Sequence, residues 1–166
     1  MYSFLSRLIM SFSNPPQEGD LAPTFSGTIQ DGTVISSADF IGKKFAIYFY
    51  PRDNTPVCTT QACNLRDHFE DLSSVGISII GVSDDPVDKH VNFAGKHRLP
   101  FPLIADVDQV MLKAYGVYGE KSMFGRKYMG TKRVTYLIDE AGIIQKVINK
   151  PKTSDHATEI RNGFRL

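Results

Sequence analysis

Two apolar and aromatic runs without alternation, FAIYFY at 45–50 and ISIIGVS at 77–83, constrain this chain more than any other feature. A strand that is apolar at nearly every position suits a sheet covered on both faces. Between the runs the pattern turns helical: Ala62, Leu65, Phe69 and Leu72 form one stripe, and Gly76 is placed to stop it. Strand, helix and strand in that order imply a right-handed crossover, with helices on both faces of the sheet.

The remaining segments extend this unit. FSGTIQDGTVISSADF reads as two short strands around an Asp31-Gly32 turn, then a helical turn near Ser37 to Phe40. Asp85 and Pro86 start a second helix as cap and first residue, with Val87, Val91 and Ala94 on one face; His90 shares that face and is assigned to packing or solvent. LPFPLIAD is a short strand, VDQVMLKAYGV a helix, and YGEKSMFGRKYMGTK a long surface loop. RVTYLIDEAGIIQKVI is a hairpin turning at Asp139 to Gly142, and a terminal helix is capped near Ser154 or Asp155. The expected architecture is an α/β domain with a mixed central sheet, helices on both faces and an N-terminal β-hairpin. A ligand site belongs where a strand's carboxyl end meets a helix.

Composition narrows the function classes. At 166 residues, one domain is expected, spanning residues 17–166 after a flexible N-terminal extension over 1–16, with Met10 as an alternative start to Met1. The apolar run in that extension is interrupted by Arg7 and offers no convincing cleavage site, so the chain is expected to be cytoplasmic. No stretch approaches the roughly 18 apolar residues of a membrane span. A formal net charge of +1 gives no basic bias toward nucleic acid. The 2 cysteines form no CxxC pair, and the 4 histidines show no zinc-ligand spacing.

Both cysteines lie in FYPRDNTPVCTTQAC, directly after the first apolar run. Cys58 falls in the first turn of the helix that follows, where free N–H groups and the positive dipole end favour the thiolate, the nucleophilic form. Thr55, three residues earlier, offers a hydroxyl that both donates and accepts. Pro51 ends the strand and, without an N–H, shields one side without competing for the sulfur. Cys63 is rotated about 140° from Cys58, with Cα atoms roughly 8–9 Å apart in an intact helix. A disulfide requires Cα atoms within about 7 Å. The pair can therefore bond only if that turn unwinds. Either the two never bond and Cys63 is a small helix residue, or the segment is a two-state element, helix when reduced and unravelled loop when oxidised.

YFYPRDNTPVCTTQAC resembles the active-site segment of peroxiredoxins, and the five-residue offset of its second cysteine is similar to the peroxiredoxin Q, or bacterioferritin comigratory protein, branch. GDLAPTFSGTIQDG resembles that family's opening hairpin, and GVYGEKSMFGRKYMGTKRVTYLID its later signature. The resemblance implies a thioredoxin-like fold and a thiol-dependent peroxidase acting on hydrogen peroxide and organic hydroperoxides. Cys58 would attack the peroxide and become a sulfenic acid. Thr55 would orient the peroxide, Arg133 would hold the thiolate and the leaving oxygen, and Pro51 would wall the site. Cys63 would resolve the sulfenic acid into an intramolecular disulfide, reduced in turn by thioredoxin or a similar dithiol. No cofactor and no metal are implied, and a monomer is expected. Val57 stands where many relatives carry glycine, and a β-branched residue restricts the backbone there.

Two other readings compete. A general thiol–disulfide oxidoreductase fits the layout but lacks CxxC. A redox-switched binding or holdase protein would use the unwinding to expose Ala62, Leu65 and Phe69.

Overall fold

The computed structural model describes residues 15–165. Most of the expected N-terminal extension, and the choice between Met1 and Met10, lie outside the described residues.

The first apolar run becomes β3 (Lys44–Phe49), after the short hairpin of β1 (Ser26–Thr28) and β2 (Val34–Ser36) and a 3-10 turn at Ser37–Phe40. The second run becomes β4 (Ile77–Ser83), which pairs parallel to β3 along its length. β5 (Leu103–Ala105) adds on parallel beyond β4, while β8 (Val134–Ile138) and β9 (Ile144–Ile148) close the other side antiparallel. The sheet order is β5-β4-β3-β8-β9.

β3 shows why a continuous apolar run is needed. Ala46, Tyr48 and Tyr50 face one core, together with Leu65, Leu72, Phe93 and Phe101. Phe45, Ile47 and Phe49 face the other, together with Phe25, Leu112, Tyr115 and Tyr136. α1 (Pro56–Asp67), α2 (Phe69–Ser74), α3 (Val87–His97) and α5 (His156–Gly163) supply the first layer. The N-terminal hairpin and α4 (Val110–Ala114) contribute to the second.

Four local expectations change. The stripe read as one helix is broken at His68, whose φ of −111° and ψ of 13° separate α1 from α2. Pro86 caps α3 from outside rather than opening it, and the buried residues of α3 are His90, Phe93 and Ala94 while Val91 is exposed. The helix expected over 107–117 contracts to five residues, because Gln109 sits in the left-handed region. The segment read as a long loop is a hairpin, β6 (Tyr118–Met123) with β7 (Arg126–Thr131), turning through Phe124 and Gly125 at φ 51° and 78°. Two consecutive positive φ values make the tight turn whose twist suits a two-residue hairpin loop. Both strands are largely exposed, so no apolar alternation marked them.

Candidate active site

The site forms where β3 ends and α1 begins. Proline at the first position of α1 lacks only an N–H that would be unpaired there anyway, and Thr55 precedes it in extended conformation. Cys58 therefore lies in the first helical turn, with its side chain directed into the core and only 2% exposed. Ala62 and Leu65 follow it on the buried face, as the stripe required.

Arg133, from the entry to β8, brings the cation. Its Nη2 donates to Cys58 Sγ at 3.3 Å, across a separation of 75 positions. Its Nη1 donates to Oε1 of Gln61 at 2.7 Å. Gln61 is fully buried, and its Nε2 has no hydrogen-bond partner among the described residues. Sequence reasoning passed over Gln61. It lies one helical turn beyond Cys58 in the same quoted segment, and a glutamine flanked by apolar helix positions was the available signal.

Further groups shape the field around the sulfur. Burial, reinforced by the Arg133 charge, holds the Lys121 ammonium below its ordinary value, while Nζ donates to the Thr131 carbonyl at 3.0 Å. Burial, with the negative charges of Asp53 and Cys58 adding to it, pushes the Tyr48 phenol far up, so it stays neutral. Its hydroxyl is buried without a partner among the described residues.

Thr55 and Pro51 are placed differently. Thr55 Oγ1 donates to the Arg52 carbonyl at 2.9 Å, so its hydroxyl is engaged within the loop. Pro51 is half-buried at the end of β3. Arg52 itself is exposed. Cys63 is half-buried, and its Sγ lies 3.8 Å from Nδ1 of His97 at the end of α3. Both cysteines are free thiols. Phe124, at the tip of the second hairpin, is 99% exposed and forms no wall of a closed pocket.

The loop between β3 and α1 is tied down from below. Asp53 accepts from the Tyr50 hydroxyl at 2.6 Å and from Nδ1 of His90 at 2.6 Å. Nε2 of His90 faces the Ile104 carbonyl at 3.0 Å. The ring is thus held between a carboxylate and a backbone carbonyl. The Asp53 N–H donates to Asp85, which also accepts from Ser83. His90, assigned above to packing or solvent, is fully buried and holds the loop that leads to Cys58.

An apolar hollow of about 340 Å³, lined by Leu21, Phe25, Phe40, Phe45 and Tyr115 among others, draws on the opposite core from Cys58. It holds none of these polar groups. Among the described residues no helix is long and apolar enough to cross a membrane, and no cluster of three metal-ligating side chains occurs.

A β-strand, a helix-start thiol and a guanidinium from a distant strand define a thiol-based redox enzyme of thioredoxin-like fold. Residues 19–147 match the AhpC/TSA family, and the chain belongs to it, within the peroxiredoxin Q and Bcp branch. It is 42% identical to peroxiredoxin Bcp of Escherichia coli (strain K12) over 152 residues, covering 92% of this chain and 97% of that protein. Among solved structures it is similar to peroxiredoxin Q of Xanthomonas campestris, with a TM-score of 0.81 and 29% identity over 93% of this chain and 97% of that one. Peroxidoxin BcpB of Mycobacterium tuberculosis matches with a TM-score of 0.79 and 30% identity over 90% and 96%.

Proposed function

We propose that this peroxiredoxin reduces hydrogen peroxide and organic hydroperoxides through Cys58 as the attacking thiol and Cys63 as the resolving one. The observation that carries this reading is the Arg133 Nη2 contact to Cys58 Sγ at 3.3 Å, at the start of α1. A guanidinium on one side and helix N–H groups on the other present positive charge to the sulfur. The thiolate attacks the terminal peroxide oxygen, the O–O bond breaks, and Cys58 becomes a sulfenic acid. Arg133 faces the charge that moves onto the leaving oxygen.

Thr55 orients the peroxide in this reading, which requires its hydroxyl to leave the Arg52 carbonyl when substrate arrives. Pro51 walls the entrance. The sulfenic acid is then attacked by Cys63 after the first turn of α1 opens. Thioredoxin or a similar dithiol reduces the disulfide, and the protein works in the cytoplasm as a monomer, without nucleic acid or membrane partners. Residues 17–166 constitute its single domain, preceded by an extension over 1–16.

Intact mass and free-thiol counting after one equivalent of hydrogen peroxide test the assignment. Wild type is expected to lose two protons, and Cys63→Ser to retain one oxygen on Cys58. Cys58→Ser is expected to consume no peroxide with a thioredoxin system present. Turnover by Cys58→Ser, or turnover of disulfides but not peroxides by wild type, would overturn it.

A further inference from the structure

Cys63 Sγ lies 3.8 Å from Nδ1 of His97, the last residue of α3. This contact is built rather than incidental. Arg66, one turn along α1, donates Nη1 to the His97 carbonyl at 2.9 Å. The Phe93 ring meets the imidazole edge to face at 5.2 Å. The ring is thus held by its own backbone, by an aromatic neighbour and by the thiol.

The stretch of α1 around Cys63 is also the anchored stretch. Asn64 donates Nδ2 to the Ser154 carbonyl at 3.0 Å and accepts the Ala157 N–H at 2.9 Å. The turn that carries Cys58 begins at Pro56 and Val57, both exposed. When the helix opens to let the two sulfurs meet, the first turn is therefore the part free to travel. Cys63 stays beside His97.

We propose that His97 is the general base of the resolution step, accepting the Cys63 thiol proton as that sulfur attacks the oxidised Cys58; this rests on the assignment of Cys63 as the resolving thiol. The Cys63 S–H bond breaks and its proton passes to Nδ1. A sulfur–sulfur bond forms and the S–O bond of the sulfenic acid breaks. Cys63 is oxidised and Cys58 is reduced by the same electron pair. The departing hydroxide takes a proton, relayed from His97 through solvent, and leaves as water, which returns the ring to its neutral form.

The charge state of the ring suits this task. The titratable and charged groups that face it are Cys63 and Arg66 from α1 and Lys96 from its own helix. Burial first, then Lys96 and Arg66, hold His97 below the ordinary imidazole value of 6.5, so at neutral pH it has a lone pair to receive a proton. A thiol without such a base reacts through its thiolate fraction, which climbs toward about pH 8.5.

Rapid-quench mass spectrometry of the full-length protein with one equivalent of hydrogen peroxide separates gain of oxygen from its loss as disulfide. Positioned bases contribute roughly 10²–10⁴-fold, so His97→Gln is expected to slow the second phase by about 10-fold or more relative to the first. In wild type the second phase should already be at its plateau near pH 7, having risen through a midpoint below 6.5. In the variant it should keep rising with pH beyond neutrality, as for a thiol that reacts only through its thiolate. An unchanged second phase in His97→Gln overturns the proposal. So does a wild-type profile that follows the thiol alone, a measurement that stands if the variant fails to fold. Wild type that keeps its oxygen adduct overturns the resolving role of Cys63 itself, and the variant is not needed to see it.

Discussion

Gln61 Oε1 accepts a hydrogen bond from Nη1 of Arg133 at 2.7 Å, while Nη2 of the same guanidinium reaches Cys58 Sγ at 3.3 Å. Arginine has donors only, so the amide turns its oxygen toward it, and Nε2 has no partner among the described residues. The planar fork then has one prong fixed by α1 and the other aimed at the sulfur carried on the same helix. Cysteine and cation are registered to each other through a residue closed off from solvent.

Gln61→Leu should therefore slow oxidation of Cys58 while leaving the fold intact. Hydrogen bonds to charged groups contribute about 1.5–3 kcal/mol. If most of that goes into orientation, the second-order rate with peroxide falls roughly 10- to 100-fold. Gln61→Glu keeps an acceptor and should retain more of the rate. Competition kinetics for peroxide decide it, and equal rates in Gln61→Leu and wild type would remove Gln61 from the site.

How legible this was depends on whether a signal was local. β3 and β4 were readable because burial on both faces leaves a run with no polar interruption. The buried helix-start position of Cys58 was readable from one short segment, whereas the Thr55 hydroxyl, expected beside the sulfur, is engaged by the Arg52 carbonyl. Arg133 was not readable: a strand-opening arginine is ordinarily a solvated edge charge, and only family resemblance singled it out. The Asp53–His90 contact spans 37 positions and left no pattern in the sequence. The β6–β7 hairpin escaped because exposed strands need no alternation; its signal was Gly125 in a two-residue turn.

Removing His90 should cost more stability than its size suggests. Its Nδ1 meets Asp53 at 2.6 Å with both side chains fully buried. Breaking such a pair from one side leaves an uncompensated carboxylate, at about 3–5 kcal/mol. His90→Ala is expected to shift the urea midpoint accordingly, and Asp53→Asn in the same chain to recover part of the loss. A shift below about 1 kcal/mol in His90→Ala would mean that Asp53 finds water instead.

Acidification should weaken the fold through His156. It is buried, with Nε2 beside the Thr135 hydroxyl at 2.8 Å and Nδ1 beside Glu159 at 3.0 Å. Burial depresses its proton affinity below the ordinary value of 6.5, opposed in part by Glu159. Below 6.5 the unfolded chain then binds the proton more readily than the folded one, so stability falls as pH drops through that range. Above it the two states bind equally and His156 contributes no slope. Urea unfolding between about pH 5 and 8 should show this slope, reduced in His156→Gln. An identical slope in the variant would assign it elsewhere.

The turn of the second hairpin offers a substitution in the stabilising direction. Phe124 occupies the left-handed region at φ 51°, next to Gly125 at 78°, and its side chain is 99% exposed. A bulky residue with a Cβ is strained there, whereas Asn-Gly is the favoured pair for this turn. Phe124→Asn gives up no buried area and should relieve the strain, raising stability by about 0.5–1 kcal/mol. Amide exchange across β6 and β7 should slow with it, because the hairpin is a separate two-stranded sheet whose opening need not unfold the rest. Faster exchange in Phe124→Asn would show that the ring packs onto a surface in solution, and that the turn holds phenylalanine for that contact.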